Sequence, residues 1–268
     1  MARPIVTLTT DFGTNDHFVG TMKGVILDLE SDAEIIDISH AVQAFDVLDA
    51  ALTFSQAYSY FPPATVHVVV VDPGVGTARR PIIVTGDRHL FVAPDNGVLS
   101  MVYDREERVS VRHVTAEHYF LQPRSNTFHG RDIFAPIAAY LAKGVDPARF
   151  GNEISDYVRF AAPRPKPINE HTMRGVVLKV DRFGNLVTNI TPQDLPALFE
   201  AKPRSFKITV GKGQATRMGA SYADGAPGEV FAILGSMGFL ELAANRGSAY
   251  QLLGAGKGSE VDVVMESR

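Results

Sequence analysis

Apolar and polar positions alternate along the first half of the chain in a way that separates short strands from helices. Ile5 to Thr10 is a β-rich run that closes on Asp11-Phe12-Gly13. From Val19 to Glu30 the apolar groups fall at Val19, Met22, Val25, Ile26 and Leu29, the spacing of one helical face. Ile35 to Ile38 predicts a second strand and Asp46 to Ser59 a helix. Val66 to Val71 is almost continuously β-branched, the pattern of a strand buried on both faces, and it ends at Asp72-Pro73-Gly74. Ile82 to Thr85 and Leu90 to Ala93 predict two strands joined by a turn at Gly86-Asp87, and Asp132 to Lys143 predicts a helix.

Strands alternating with helices imply an α/β domain over 1–160, with a mostly parallel sheet and flanking helices. The proline-rich stretch Ala161 to Ile168 has no periodicity and reads as the core of a linker over 161–172. Beyond it, short β-type runs follow at Gly175–Val180, Leu186–Ile190, Ser205–Val210, Val230–Leu234, Tyr250–Leu253 and Glu260–Met265, separated by Gly, Asn and Asp. These predict a smaller all-β, barrel-like C-terminal domain over 173–268.

Composition narrows the chemistry. The 268 residues contain no cysteine, which excludes a thiolate nucleophile, a Cys-ligated zinc site and an iron–sulfur cluster. A net charge of −4 argues against a nucleic-acid partner. No run approaches the roughly 18 apolar residues of a membrane span. The first residues, MARPIVTLTT, lack the charged-then-apolar pattern of a secretory signal, so a cytoplasmic protein is the default expectation.

Nucleotide-loop motifs, a nucleophile elbow and helically spaced zinc histidines are all missing. Polar groups instead cluster just after strand ends: Asp11, Asp37 to His40, Asp72, and Asp95-Asn96. Ligands of open α/β sheets bind there. In DPGVGTARR (72–80) a carboxylate is followed by a glycine-rich turn and two arginines. This is either a tight loop carrying a surface ion pair or a loop that folds an arginine onto Asp72. His129, in NTFHGRD before a helix, is either a cap or a functional imidazole, and Arg131 with Asp132 fits an ordinary first-turn pair. Asp11 suits a ribose diol, since its two oxygens accept from two hydroxyls; the alternative is a helix cap, which Asp16 serves equally well. DRFGNLVTN (181–189) offers a stacking aromatic beside an amide, although a plain hairpin loop looks similar. GSMGFLELAAN (235–245) adds a glycine-rich turn with a serine.

In order along the chain, TTDFGTND, VVVDPGVGTARR, FVAPDNGVL, TFHGRDIFAPIAA, DRFGNLVTNI and GSMGFLELAAN closely resemble the S-adenosylmethionine hydroxide adenosyltransferases, hydrolase relatives of fluorinase and chlorinase. The resemblance extends from about Ile5 to about Val264. It implies an α/β domain followed by a β-barrel-like domain. It also implies a homotrimer with each site between neighbouring subunits, and hydrolysis of S-adenosylmethionine to adenosine and methionine without metal or cofactor. By motif position the catalytic trio falls on Asp72, Arg79 and His129. Spacing alone does not separate Arg79 from Arg80; the motif selects Arg79. The resemblance puts Asp11 on the ribose, Asp16, His17 and Phe18 along the ligand, and Phe45 in the pocket wall. Asp181 and Ser236 fall to the methionine end, and Phe183, Asn185 and Asn245 to the adenine. A fluorinase has tyrosine, threonine and serine where Asp72, Val75 and Gly130 stand here, so water or hydroxide is the expected nucleophile.

Which of Asp72 and His129 acts as base stays open at this level. Three rival readings remain. The first is a metal-dependent hydrolase built on Asp11, Asp37, His40, Asp72 and His129. The second is a non-catalytic module that binds S-adenosylmethionine or adenosine. The third is a chloride-using relative.

Overall fold

The computed structural model describes residues 3–200 and 203–266, and its contacts divide the chain into two compact units, 1–162 and 163–268. The first unit is built on a six-stranded sheet of β1 (Ile5–Thr10), β2 (Glu34–Ser39), β3 (Val66–Val70), β4 (Pro81–Thr85), β5 (Leu90–Pro94) and β6 (Ser110–His113), in the order β2-β1-β3-β5-β4-β6. The pairs β2–β1, β1–β3 and β3–β5 are parallel, whereas β4 pairs antiparallel with β5 and β6. The sheet is therefore mixed, parallel through β2-β1-β3-β5 as expected and antiparallel at the β4 and β6 edge. The short turn Gly86–His89, closed by the Gly86 amide on the His89 carbonyl, makes a hairpin of β4 and β5, and so short a connection can join only antiparallel strands.

The helices are α1 (Phe18–Leu29), α2 (Val47–Ser55), α3 (Ser100–Tyr103) and α4 (Ala135–Ala142). Alternate strand residues feed two cores. Val6, Leu8, Val66, Val68 and Val70 pack with Met22 and Ile26 of α1 and Ile137 of α4. Val69, Ile82, Val84, Phe91 and Ala93 pack with Phe54 of α2 and Val102 of α3. This two-sided burial is why 66–71 is apolar at every position but His67, which is itself fully buried. Asp46 caps α2 by accepting from the Asp49 amide at 3.0 Å, worth about 1 kcal/mol. The expected helix over 46–59 stops at Ser55 and resumes as a 3₁₀ turn, Tyr58–Tyr60. The helix expected from Asp132 begins instead as a π turn, Gly130–Phe134, and continues into α4.

The second unit contains β7 (Lys166–Asn169), β8 (Thr172–Val180), β9 (Leu186–Thr188), β10 (Phe206–Val210), β11 (Gly213–Ala215), β12 (Met218–Gly219), β13 (Val230–Leu234), β14 (Leu240–Ala244) and β15 (Glu260–Met265). Its path runs β11-β10-β15-β8-β9-β14-β13-β12, with β7 paired to β8. β8 carries partners in both halves of this curled sheet, its pairing with β9 shifting register between Val177 and Lys179. The stretch expected as linker therefore includes a strand, β7.

The unit is not all-β. Tyr250–Leu253, expected as a strand, lies in α5 (Ala249–Leu253). Ser248 caps α5 by accepting from the Gln251 amide, and Gly254 ends it at φ +59°. Among the described residues no helix is long and apolar enough to cross a membrane.

Candidate active site

Asp11 and Asp72 stand just beyond the carboxyl ends of adjacent parallel strands, because Thr10 of β1 pairs in register with Val70 of β3. The loop after β3 then folds back. The Val75 amide donates to the Asp72 carbonyl at 3.2 Å, and the Thr77 hydroxyl to the Gly74 carbonyl at 2.7 Å. Gly76 sits at φ +76°, and a Cβ there would come within 2.3 Å of the Asn126 carbonyl. The absent side chain lets the 72–79 loop lie directly on the segment that carries His129. That segment is held in turn by Asp132, which accepts from the Ser125 amide at 2.7 Å and from Arg131 Nε at 2.6 Å.

These loops bring three side chains together. Arg79 Nε donates to Asp72 Oδ2 at 2.7 Å, and Nη2 makes a second, shorter bond to the same oxygen. Nη2 also lies 2.9 Å from His129 Nδ1. The Arg79 and Asp72 side chains are 9% and 5% exposed, so this is a nearly dry ion pair. Breaking one side of such a pair costs roughly 3–5 kcal/mol. The Phe134 ring lies under the guanidinium, 5.1 Å from its carbon. Arg80 turns away: it pairs with Asp95 at 2.7 Å and Asp156 at 2.8 Å. Burial, and next the charge of Arg79, push the His129 imidazole below its ordinary value, so it is neutral at pH 7.

The cluster borders a cavity of about 390 Å³ lined by Asp11, Phe18, Phe45, Asp72 and His129, with Phe12, Phe128, Val70, Val75, Thr127, Ala44 and Gly130 filling the wall. Phe128 stands edge-on to both Phe12 and Phe18, with centroids 6.0 and 5.1 Å away, and Phe12 is tilted against Phe18 at 5.7 Å. Asp11 Oδ2 accepts from the Phe45 amide at 2.8 Å, tying the end of β1 to the loop before α2. Asp16 and His17 are exposed and do not line the cavity. His17 packs its ring on Phe18, with centroids 4.6 Å apart, and Asp16 does not cap α1, whose first flanking residue is His17. A Cβ at Gly130 would stand 3.1 Å from both Met22 Sδ and Phe128, so the floor is closely packed there.

In the second unit, Asp181 organises its own loop. It accepts from the Phe183 and Asn185 amides at 2.9 and 2.8 Å, and from the Asn185 side chain at 2.8 Å. Phe183 is left 77% exposed beside a cavity of about 500 Å³, which Asn185, Tyr222, Ala244, Arg246 and Gly247 also line. Ser236 is an exposed turn residue away from this lining, and Asn245 Nδ2 donates to the Gly225 carbonyl at 2.7 Å. Sequence reasoning missed Tyr222 and Arg246. Tyr222 donates to the buried Glu241 at 2.9 Å, and burial, then that bond, push its hydroxyl up to about 12. Among the described residues no three His, Asp or Glu side chains converge into a metal-holding group.

Residues 6–151 match the family model of the SAM hydroxide adenosyltransferase N-terminal domain, and residues 175–262 that of its C-terminal domain. The chain is 37% identical to an (R)-S-adenosyl-L-methionine hydrolase of Salinispora arenicola over 97% of both sequences. It is 30% identical to a fluorinase of Nocardia brasiliensis over 92% of both. An uncharacterized conserved protein from Thermotoga maritima superposes with a TM-score of 0.88 at 38% identity, over 97% of this chain and 99% of that one. With both domain models matched in order and full-length relatives at this identity, the chain belongs to the SAM hydroxide adenosyltransferase family.

Proposed function

We propose that this protein hydrolyses (R)-S-adenosyl-L-methionine to adenosine and L-methionine. The observation that carries the reading is the Asp72–Arg79–His129 cluster at an aromatic-walled cavity that also holds Asp11. The names of the relatives at 34–38% identity support it.

The sulfonium departs as a neutral thioether, so sulfur needs neither protonation nor a metal. The protein's task is to hold one water in line behind the ribose C5′ and take its proton. Oxygen bonds to C5′ as the C5′–S pair returns to sulfur. Asp11 binds the ribose hydroxyls, and Phe18 and Phe45 cover the sugar. Asp72 accepts the proton of the attacking water, His129 donates a hydrogen bond to that water's oxygen, and Arg79 fixes both. Asp181, Phe183, Asn185, Ser236 and Asn245 address the adenine and methionine ends from a neighbouring subunit of a homotrimer. Mass photometry tests that assembly. Neither cofactor nor metal takes part.

Turnover in ¹⁸O-labelled water tests the reading. The label is expected in the adenosine 5′-hydroxyl and not in methionine. Tight binding with no product would replace the enzyme with a binding module, and a halogenated nucleoside formed only with added chloride would replace water as nucleophile. Asp72→Ala is expected to keep adenosine binding and to lose about 10²–10⁴-fold in kcat.

A further inference from the structure

Asp37, Ser39 and His40, at and just past the end of β2, have no part in the mechanism above, and none of them lines the ligand cavity. Two of their side chains nonetheless reach toward the turn that carries Asp11. His40, 6% exposed, has Nδ1 2.8 Å from the hydroxyl of Thr10, which is fully buried at the end of β1. The Phe12 amide donates to the same hydroxyl oxygen at 3.2 Å, and the Gly13 amide donates to the His40 carbonyl at 2.8 Å. On the far side of the ring, His40 Nε2 stands 3.0 Å from Asp37 Oδ1. Lys23 Nζ, from α1, donates to Asp37 Oδ2 at 2.6 Å.

We propose that His40 is a positioning residue for Asp11, fixing the turn at the end of β1 so that the carboxylate meets a ribose diol already aimed. The inference rests on the proposed binding of ribose by Asp11. For a neutral imidazole the contacts fall into one consistent order. A carboxylate only accepts, so the ring proton sits on Nε2, facing Asp37. Nδ1 then accepts from the Thr10 hydroxyl, whose oxygen is left to accept from Phe12. Asp11 lies between these two residues, so its backbone is tied on both flanks to one ring, and the Gly13 amide adds a third tie to the same residue. The Phe45 amide orients Asp11 Oδ2 from the other side, and that oxygen keeps a second lone pair for a hydroxyl. A carboxylate grips a diol only when both oxygens face both hydroxyls, and a grip set in advance leaves less to be ordered on binding. Leucine at 40 would fill the space but offer no acceptor to Thr10 and no donor to Asp37. Asparagine restores an acceptor near the place of Nδ1.

The test compares two nucleosides that differ only in the diol. Calorimetric titration measures adenosine and 2′,3′-dideoxyadenosine on the wild type, His40→Leu, His40→Asn and Asp11→Ala. His40→Leu is expected to bind adenosine about tenfold more weakly than the wild type and dideoxyadenosine within twofold of it. His40→Asn is expected to recover adenosine binding to within about threefold of wild type. With S-adenosylmethionine, His40→Leu is expected to raise KM about tenfold and to leave kcat within about threefold, because the ring touches no reacting atom. A merely structural role would weaken both nucleosides alike, and that result, or wild-type affinity for both, overturns the proposal. Should His40→Leu not fold, Thr10→Val removes the same hydroxyl link and is read in the same way. Asp11→Ala separates the two possible failures. If it loses adenosine selectively while His40→Leu does not, the positioning role falls and the ribose reading of Asp11 stands. If it binds both nucleosides as the wild type does, both fall.

Discussion

Arg79 Nη2 lies 2.9 Å from His129 Nδ1, and a guanidinium can only donate. Nδ1 therefore presents its lone pair to Arg79, and the single proton of the neutral imidazole sits on Nε2. His129 cannot then take a proton from water without giving up its bond to Arg79. Its free group is a donor, so the proposed mechanism takes the Asp72 carboxylate, rather than His129, as the proton acceptor.

The tautomer predicts how substitutions at 129 rank. A glutamine amide can put an N–H near the place of Nε2 but cannot act as a base. His129→Ala is expected to lower kcat by about 10²–10³, and His129→Gln to retain at least about tenfold more activity than Ala. Steady-state kinetics of the two variants decides it: equal rates would return the base role to His129. Acidification protonates Nδ1 and sets an N–H against the Arg79 donor. Because the imidazole is held below its ordinary value, kcat is expected to be flat from pH 8 down to about 6.5 and to fall below that.

Phe45 combines a left-handed backbone, φ +64°, with a ring that is 73% exposed on the cavity wall. A non-glycine residue in that region costs about 1–2 kcal/mol, and no burial of the ring offsets the cost in the free protein. Phe45→Gly keeps the amide that bonds Asp11 and removes both strain and ring. The expected outcome is a variant at least as stable as wild type in urea, with KM for substrate raised about tenfold, equivalent to about 1.4 kcal/mol. Unchanged KM would remove Phe45 from the binding wall.

The layout of the first unit was legible because its central strands β1 and β3 are buried and carry polar groups just past their ends, where Asp11 and Asp72 stand, while His129 showed itself as a polar residue just before a helical run. Other features were hidden for physical reasons. The run Leu240–Ala244 is built of helix-favouring residues, yet it is a fully buried strand whose Glu241 is held by Tyr222; tertiary packing overrides local preference there. Tyr250–Leu253 carried helix signals in Ser248 and Gly254, but five residues are too few for a periodicity to declare itself. Tyr222 and Arg246 reach their cavity from irregular loops, which no pattern announces. The fork of Arg79 between Asp72 and His129 depends on Gly76 admitting a neighbouring backbone, a contact between segments 50 residues apart.

His67 of β3 is fully buried, bonded through Nδ1 to Thr7 at 2.7 Å, stacked on Phe91 and 5.0 Å from the His89 ring. Burial, then the neighbouring His89, lower its pKa to about 3, and burial lowers that of His89 too. In the unfolded chain both titrate near 6.5. Between about pH 6.5 and 3 the unfolded state therefore binds more protons, so stability rises with pH across that window and is lost on acidification. The loss from His67 alone between pH 7 and 4.5 is about 2–3 kcal/mol. Urea unfolding at the two pH values measures it. His67→Gln, which cannot take up that proton, is expected to be less stable at pH 7 and to lose less on going to pH 4.5. An identical loss in both proteins would show that other groups govern acid unfolding.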